Sequence, residues 1–430
     1  MSRSCRDRLE AALARIADPK GEGARACLTV YTEAARAAAD AADARAKCGI
    51  SLGPLDGTIV SIKDLFDVAG EPTRAGSKIL AEEAAPATSD AAIVRRLRAG
   101  GAVIVAKTNM TEFAFSGVGA NPHFGTPGNP RDRSRVPGGS SAGAPVAVAD
   151  GMCEIAIGSD TGGSVRIPAA VCGLVGFKPS RQRVPTEGAF PLSYTLDSIG
   201  PIAASVADCA RADAVMAGED FVPVEPMPLA GLRFGVAEGL PLDRLDDTVA
   251  AAFALAVKRL DEAGLRVTHE TLPLFDEMVD VNAKGGISPP EACAIHRDRL
   301  RRRAADFDPN VRVRIERGCA MSAADYVDTL RARARLVRAM DAWLAGLDAL
   351  IMPTTSIVAP RMAEVADPQA FATRNAALLR NTNIVNFFDL CAVTLPISAP
   401  LPVGLMLVGR NGLDCRLLRI AAATAQLFPA

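Results

Sequence analysis

Short strand-like segments alternate with a helical segment early in the chain, and this order constrains the fold more than any other feature. TIVSIK, residues 58–63, is a β-branched run typical of a strand that ends at Lys63. DAAIVRRLRAGG, residues 90–101, has its apolar residues on one helical face and Asp90 as the predicted cap. AVIVA, residues 102–106, follows as a buried strand. Strand, helix and strand in this order predict an α/β fold with a partly parallel sheet.

The second half of the chain repeats this alternation. Its predicted elements are strands at 232–237, 265–272, 349–355 and 401–409 and a helix at 248–264. The proline-rich stretch 221–231 is the best candidate for a linker, but alternating strands and helices continue on both sides of it. We therefore expect one domain over residues 1–430.

Composition argues against several classes of function. With 48 basic and 49 acidic residues the net charge is −1, which gives no electrostatic reason to bind nucleic acid or an acidic membrane. The apolar runs are shorter than the roughly 18–20 residues that span a bilayer. The charged N-terminal segment predicts an amphipathic helix rather than a signal peptide. We expect a cytoplasmic protein.

The ten cysteines show no spacing typical of a metal site. No C-x-x-C occurs, and the three histidines are scattered along the chain. Most of the cysteines lie in apolar segments, which predicts buried, reduced thiols that pack as small apolar side chains. We expect no zinc site.

Two runs of glycine and serine lie between apolar segments, PGGSSAG at 137–143 and GSDTGGS at 158–164. Neither matches the glycine and lysine spacing of nucleotide-binding loops, and the apolar surroundings disfavour a flexible linker. Glycines in such surroundings mark sharp turns or close backbone approach. Consecutive backbone N–H groups in TGGS suit an oxyanion hole, with a serine beside it as nucleophile.

A nucleophilic serine needs a base, and the residues alone leave two choices. His123 is the histidine nearest to the two runs, so a Ser-His-Asp triad stays open. Lys63 ends a hydrophobic strand, where burial would favour its neutral form. A buried ion pair of Lys63 with Asp64 or Asp67 is the structural alternative.

Taken together, these segments resemble the amidase signature family. The likeness runs in unbroken order through residues 54–77, 90–117, 121–130, 137–143, 157–180 and 196–203. The resemblance implies an α/β fold with a large twisted mixed β-sheet covered by helices on both faces. It also implies a signature core at about 54–205 and a variable, pocket-forming region at about 205–375.

The resemblance implies a role for each residue that matches the family motifs. Lys63 corresponds to the general base, Ser140 to a bridging serine on a cis peptide after Gly139, and Ser164 to the nucleophile. The oxyanion hole is implied at the backbone N–H groups of Thr161, Gly162, Gly163 and Ser164.

Residues around the two runs carry weaker expectations. Asp160 and Arg166 flank the second run and are expected to pair and hold the turn rigid. Ser141 is expected to bond within its own turn. Asp197 either stiffens the loop that follows these turns or only caps it.

The substrate pocket is implied less directly. Phe115 and Ser116 match positions that line the acyl pocket in relatives, although a core and a turn position explain them equally well. The region that forms the rest of the pocket is the part of the chain with the loosest resemblance to the family.

The function that the resemblance implies is hydrolysis of a small amide through an acyl-enzyme, without metal or organic cofactor. The alternatives within the family are the glutaminase subunit of a tRNA-dependent amidotransferase and allophanate, carboxybiuret or indoleacetamide hydrolases. A Ser-His esterase and an inactive binding protein are the alternatives outside it. The expected partner is a small-molecule amide, with no nucleic acid or membrane, and a homodimer is one assembly that the sequence permits.

Overall fold

The computed structural model describes residues 3–428. Its strands are β1 (Cys27–Val30), β2 (Ile59–Lys63), β3 (Val103–Thr108), β4 (Ile155–Ser159), β5 (Val175–Lys178), β6 (Ile199–Ala203), β7 (Arg233–Ala237), β8 (Arg266–Glu270), β9 (Ala349–Pro353), β10 (Cys391–Ile397) and β11 (Val403–Gly409). Its α-helices are α1 (Cys5–Ala17), α2 (Gly23–Ala26), α3 (Thr32–Lys47), α4 (Lys78–Glu83), α5 (Ala92–Ala99), α6 (Gly143–Ala149), α7 (Arg166–Cys172), α8 (Val206–Ala217), α9 (Asp247–Glu262), α10 (Pro273–Asn282), α11 (Ser288–Arg303), α12 (Pro309–Cys319), α13 (Ala323–Leu344), α14 (Pro368–Phe387) and α15 (Asp414–Ala425).

All these strands belong to one mixed sheet, in the order β1-β3-β2-β4-β6-β5-β10-β11-β9-β7-β8. Strands β3, β2 and β4 run parallel to one another, as do β8, β7 and β9. The other neighbours are antiparallel. The predicted α/β fold with a mixed sheet is confirmed. The stretch 221–231 has no regular structure and connects α8 to β7 of the same sheet.

Both faces of the inner part of the sheet are buried, and β3 shows why. Val103 and Val105 pack with α1, α3 and α6 on one face, whereas Ile104 points to the other face, which α5 and α8 cover. Successive side chains of a strand point to opposite faces. An uninterrupted apolar strand such as β3 is therefore stable only where helices cover the sheet on both sides.

Element boundaries agree with the sequence predictions to within three residues, but the predicted cap of α5 is wrong. Helix α5 starts at Ala92 after Ala91, and no side chain caps it. Asp90 Oδ1 instead accepts a hydrogen bond from the backbone N–H of Ala69, 2.8 Å away. Asp90 thus fixes a neighbouring loop. Helix α6 starts at Gly143, as Pro145 in its first turn requires.

Two pairs of cysteines differ from the predicted buried, reduced thiols. Cys293 of α11 and Cys319 of α12 form a disulfide, with their Cα atoms 5.4 Å apart. Cys48 and Cys415 are exposed, and the remaining cysteines are buried free thiols. The pairing joins residues 26 positions apart that meet only because α11 packs against α12. The sequence alone does not show this contact.

The α-helices within residues 3–428 have between 4 and 22 residues. None of them combines the length and the apolarity that crossing a bilayer requires. The longest, α13, has 22 residues and carries four arginines along AADYVDTLRARARLVRAMDAWL.

Candidate active site

The candidate site lies at the carboxyl ends of two neighbouring parallel strands. Lys63 is the last residue of β2 and Ser159 is the last residue of β4. Carboxyl ends of parallel strands meet at one edge of a sheet, where the following loops form ligand sites in α/β proteins. The loop after β4 carries the second glycine-serine run.

Lys63 is fully buried and contacts two serines. Its Nζ lies 2.8 Å from Ser140 Oγ and 2.9 Å from Ser159 Oγ. Within the described chain Lys63 makes no ion pair with Asp64 or Asp67, so the structural alternative raised from the sequence is wrong. The carboxylate of Asp64 is directed at a neighbouring arginine instead.

This setting disfavours the ammonium form of Lys63. Burial lowers the pKa of Lys63 to about 7, although the negative charges of Asp197 and Asp160 oppose part of the shift. A substantial fraction of Lys63 is therefore neutral near neutral pH. A neutral amine beside a serine hydroxyl can accept its proton.

The first glycine-serine run brings Ser140 to Lys63 and joins the second run. The Gly139–Ser140 peptide bond is cis. The Ser141 hydroxyl donates to the Ser159 carbonyl at 3.5 Å, and the Ser141 N–H donates to the Ser164 carbonyl at 3.4 Å. The expectation that Ser141 bonds within its own turn is therefore wrong: it bonds to the backbone of the second run at two points, because the two runs pack against each other.

The free backbone N–H groups of the second run are those of residues 161–164. Among residues 3–428, none of the N–H groups of Thr161, Gly162, Gly163 and Ser164 donates to a protein acceptor. Gly163 has φ +137°, and a Cβ there would lie 2.2 Å from Thr382 Oγ1. The Thr382 hydroxyl donates to the Gly162 carbonyl at 2.6 Å. Only glycine fits this close approach to α14, and the free donors suit a developing oxyanion.

Asp160 and Arg166 form a fully buried pair around this turn. The Arg166 guanidinium donates to both Asp160 carboxylate oxygens, at 2.8 and 3.0 Å, and to Asn386 Oδ1 at 2.6 Å. Asp160 also accepts from the Val165 N–H at 3.2 Å. Burial opposes ionisation of Asp160, but the charge and hydrogen bonds of Arg166 outweigh it and hold its pKa at about 2.

A cavity of about 540 Å³ opens onto Ser164, Thr161 and Gly162. Phe115 and Ser116 line it, so the structure brings all the predicted site residues to the cavity or to the turns behind it. Its far walls are mostly apolar: the variable region contributes Leu240, Met278, Val279 and Ile287, and the part of α14 beyond that region contributes Leu379 and Phe387. The charged residues in its lining are Arg314 and Arg380.

The sequence analysis missed two polar residues that complete the site. Ser159 contacts Lys63, and Asn386 donates to the Asp160 carbonyl and carboxylate. Ser159 stands inside the GSDTGGS run, but its contact with Lys63 depends on the pairing of β2 with β4. Asn386 comes from α14, more than 200 residues further along the chain.

Asp197 lies behind the oxyanion turn. Its carboxylate accepts from the Thr161 hydroxyl at 2.6 Å and from the backbone N–H of Leu192 at 2.9 Å. These contacts join the loop at 192–197 to the turn, as expected of a residue that stiffens it. Burial raises the pKa of Asp197 to about 6.

His123 is placed away from the serines. Its Nε2 lies 3.1 Å from Glu112 Oε1, and no hydrogen bond joins it to Ser140 or Ser164 in the described chain. Of the two bases that the sequence left open, the one in contact with a serine of the glycine runs is Lys63.

Comparison with known proteins decides the family. The family model described as Amidase matches residues 7–418. The chain belongs to the amidase family. This amidase is 39% identical over 403 residues to 2-amino-5-chloromuconic acid deaminase of Comamonas testosteroni, covering 92% of this chain and 86% of the relative.

Other relatives extend this likeness over nearly the whole amidase. One subunit of the glutamyl-tRNA(Gln) amidotransferase of Chloroflexus aggregans (strain MD-66 / DSM 9485) is 36% identical over 453 residues, with 96% of this chain and 91% of the relative covered. A crystal structure described as an amidase superposes with a TM-score of 0.89 at 34% identity, covering 99% of this chain and 97% of the other. The protein is therefore an enzyme, a hydrolase of carbon–nitrogen amide bonds.

Proposed function

We propose that this amidase hydrolyses a small amide to a carboxylic acid and ammonia or an amine through an acyl-enzyme on Ser164. One observation carries the mechanism. A fully buried lysine, which has no carboxylate partner among residues 3–428, lies 2.8 Å from Ser140 Oγ, at the sheet edge where Ser164 lines a cavity.

Acylation begins with a proton relay. Neutral Lys63 accepts the proton of Ser140, and Ser140 takes the proton of Ser164. Ser164 Oγ attacks the carbonyl carbon of the amide. The free backbone N–H groups of residues 161–164 bind the oxygen that becomes negative.

Collapse of this intermediate breaks the carbon–nitrogen bond. Protonated Lys63 returns its proton through Ser140 to the departing nitrogen, which leaves as ammonia or an amine. A water molecule then loses a proton along the same relay and attacks the acyl carbon. The acid is released and Ser164 recovers its proton, so the cycle consumes one amide and one water. We expect no metal or organic cofactor.

The surrounding residues position these groups. The Asp160–Arg166 pair, held by Asn386, keeps the turn before Ser164 rigid, and Ser141 fixes the two glycine runs against each other. Phe115 and Ser116 contact the acyl part of the substrate. Ser159 holds Lys63 in line with Ser140.

The proposal is tested by ammonia release from a panel of amides: glutamine, malonamide, benzamide and indoleacetamide. Wild type is compared with Ser164→Ala, Lys63→Ala and the exposed control Lys258→Ala. Release that both site variants abolish and the control retains supports the relay. Turnover that survives Lys63→Ala contradicts it and returns His123 as the base of a Ser-His esterase.

The second candidate function is the glutaminase subunit of a tRNA-dependent amidotransferase. The similarity to the glutamyl-tRNA(Gln) amidotransferase protein over 96% of the chain favours it. This role predicts ammonia release from glutamine that rises when partner subunits are added, and co-elution with them. Activity of the isolated chain on other amides favours the stand-alone amidase, and allophanate, carboxybiuret and indoleacetamide hydrolysis remain within that class. The cytoplasmic location and a homodimer stay predictions, the latter testable by gel filtration.

A further inference from the structure

Glu291, in the first turn of α11, is a buried carboxylate whose hydrogen-bond donors are all uncharged. Its two oxygens accept four hydrogen bonds. The donors are the hydroxyl groups of Ser193 and Thr195, the Thr195 backbone N–H at 3.2 Å and the Tyr326 hydroxyl of α13 at 2.6 Å. Taking a carboxylate out of water is costly unless hydrogen-bond donors surround it. Three of the four donors belong to one loop, residues 192–197, so Glu291 fixes this loop to α11.

Ser193 connects Glu291 to Asp197. The Ser193 N–H donates to the Asp197 carboxylate at 3.1 Å, and the Asp197 N–H donates to the Ser193 carbonyl at 3.0 Å. The Ser193 hydroxyl, which donates to Glu291, also accepts from the Leu196 N–H at 3.2 Å. The loop is thereby closed on itself around Ser193. Holding the Ser193 side chain therefore also holds the Asp197 carboxylate.

Asp197 in turn holds one end of the oxyanion turn. Its carboxylate accepts from the Thr161 hydroxyl at 2.6 Å. At Gly162 and Gly163 the turn is packed closely against α14, where an added Cβ would meet side-chain oxygens of that helix. Thr161 instead borders two cavities, the one of about 540 Å³ and a second of about 230 Å³ whose lining includes Ser193 and Asp197. The position of Thr161 therefore depends on its hydrogen bond to Asp197 more than on close packing.

We propose that Glu291 is a positioning residue of the amidase reaction. Through Ser193 and Asp197 it keeps the Thr161 N–H directed at the oxygen that becomes negative. This inference rests on the proposed function, because it takes that N–H as one of the oxyanion donors. A donor that is placed in advance stabilises the transition state more than the bound substrate. Loss of Glu291 should therefore lower kcat more than it raises KM.

The kinetic test measures kcat and KM for whichever of glutamine, malonamide, benzamide and indoleacetamide wild type hydrolyses fastest. Glu291→Ala should lower kcat by about 10–100-fold with a smaller change in KM, since losing an oxyanion donor outright costs about 10²–10³-fold. Glu291→Gln keeps an acceptor oxygen and the shape of the side chain, so it should recover part of this loss. Unchanged kcat in Glu291→Ala, or a loss carried by KM alone, would overturn the inference.

Glu277→Ala is the matched control. Glu277 of α10 is a half-exposed carboxylate that pairs with Arg335 of α13 at 2.7 Å. It thus contacts the helix that carries Tyr326, but it does so through Arg335 and not through the loop at 192–197. Because exposed ion pairs contribute little, kcat and KM of this variant should stay within about twofold of wild type. A control that loses as much activity as Glu291→Ala would show a general effect of disturbing α13 and would contradict the proposal.

A double-mutant cycle tests the route from Glu291 to the turn. Thr161→Val removes the hydroxyl that Asp197 holds but keeps the Thr161 N–H. In this background Glu291→Ala should lower kcat by less than about twofold, because the effects of residues that act through one another do not add. A full additional loss would overturn the inference, since a merely structural role of Glu291 would act independently of Thr161. Ser193→Ala, which removes one hydroxyl donor to Glu291, should give the same pattern and serves in place of Glu291→Ala if that variant does not fold.

Hydrogen–deuterium exchange separates this inference from the proposed function, because it requires no turnover. Glu291→Ala should exchange faster than wild type in peptides covering residues 192–198 and 158–167, whereas a peptide covering β10 should be unchanged. Faster exchange at 158–167 supports the hold on the turn even if Ser164→Ala keeps activity and another residue is the nucleophile. Exchange at the wild-type rate there contradicts the hold and leaves the relay to its own test.

Discussion

Lys63 is buried at the end of a strand with two serine hydroxyls as its polar partners. A buried ammonium without a carboxylate is unfavourable, and the consequence is a lysine that can act as a base near neutral pH. The same burial that enables the chemistry has a cost. It reduces the stability of the folded state at every pH at which Lys63 must lose a proton in order to fold.

The pH dependence of the reaction should follow Lys63. Because burial lowers its pKa to about 7, kcat/KM for a neutral amide should rise with pH through about 7 and level off above it. Below that pH Lys63 is protonated and cannot accept the Ser140 proton. Steady-state rates on both sides of this pKa measure the dependence, and a rate that falls as pH rises through it contradicts the role of Lys63 as base.

The pH dependence of stability should change in Lys63→Met. In the folded state burial lowers the pKa of Lys63 to about 7, whereas in the unfolded chain it keeps the ordinary value of 10.5. The unfolded state therefore binds more protons between these two pKa values. The unfolding free energy of wild type should rise with pH relative to Lys63→Met, by about 1–3 kcal/mol over roughly two pH units above the folded pKa. Urea denaturation at both pH values measures the difference, and parallel behaviour of the two proteins contradicts it.

The Asp160–Arg166 pair should be costly to break. Asp160→Ala leaves the fully buried Arg166 without its carboxylate and should lower the unfolding free energy by about 3–5 kcal/mol. Asp328→Ala, which removes the exposed partner of Arg331 at 3.8 Å, should cost less than about 1 kcal/mol. Both values come from chemical denaturation, and equal effects would show that the buried pair contributes no more than the exposed one.

At the scale of single residues, the motifs predict which catalytic side chains meet, but they do not predict all of the neighbours of these side chains. Lys63, Ser140 and Ser164 stand in segments that resemble the family motifs, and it is this resemblance that predicts their meeting. Ser159 contacts Lys63 through the pairing of β2 with β4, and Arg314 reaches the cavity from a helix in the region of loose resemblance. Contacts of this kind depend on tertiary packing, which one sequence does not show.

At the scale of elements, the turn between β4 and α7 is fixed by the closeness of α14. Gly163→Ala would place a Cβ 2.2 Å from Thr382 Oγ1 and displace the free N–H groups of the turn. We expect kcat to fall by about 10²–10³-fold, the size of effect typical of losing an oxyanion donor. Ammonia release measures the loss, and thermal unfolding checks that the fold survives.

Gly412→Ala is the control for this prediction. Gly412 also has a positive φ, +79°, but a Cβ there would meet no atom within 4 Å. This substitution carries the backbone strain of a left-handed residue without the clash and should leave kcat unchanged. If both variants lose activity equally, the close approach to Thr382 is not what the turn depends on.

The predicted helix starts are right where the residue types in the segment itself determine the structure. They are wrong where tertiary contacts determine it. Pro145 fixed the start of α6 because proline fits only the first turn of a helix. Asp90 had the right residue type for a cap, yet its carboxylate bonds to the Ala69 N–H and the helix starts without it. The Asp90 carboxylate could accept from the first turn of α5 or from the Ala69 N–H. The packing of the loop that carries Ala69 decides between them.

At the scale of the whole molecule, both halves of the chain build one sheet. Strand β5 of the first half pairs with β10 of the second, so neither half has a complete sheet alone. The fold class was predictable because strands and helices alternate throughout. The Cys293–Cys319 disulfide and the walls of the cavity were not, because they join segments that are distant in the sequence or loosely patterned.

The single domain expected over residues 1–430 stays a prediction that chain splitting tests. Separately expressed residues 1–225 and 226–430 should be inactive, because β5 and β10 each lose a partner strand. Co-expression of the two pieces should restore a complex with amidase activity, since the cut falls in a stretch without regular structure. An independently folded, soluble fragment 1–225 with a cooperative unfolding transition would contradict one domain.

Labelling with a fluorophosphonate, followed by peptide mapping, tests the central claim most directly. This reagent forms a stable adduct with a nucleophilic serine. The relay predicts one adduct on Ser164, absent in Ser164→Ala and formed much more slowly in Lys63→Ala. An adduct on another residue, or labelling of Ser164 at the wild-type rate without Lys63, would contradict the assignment of nucleophile or base.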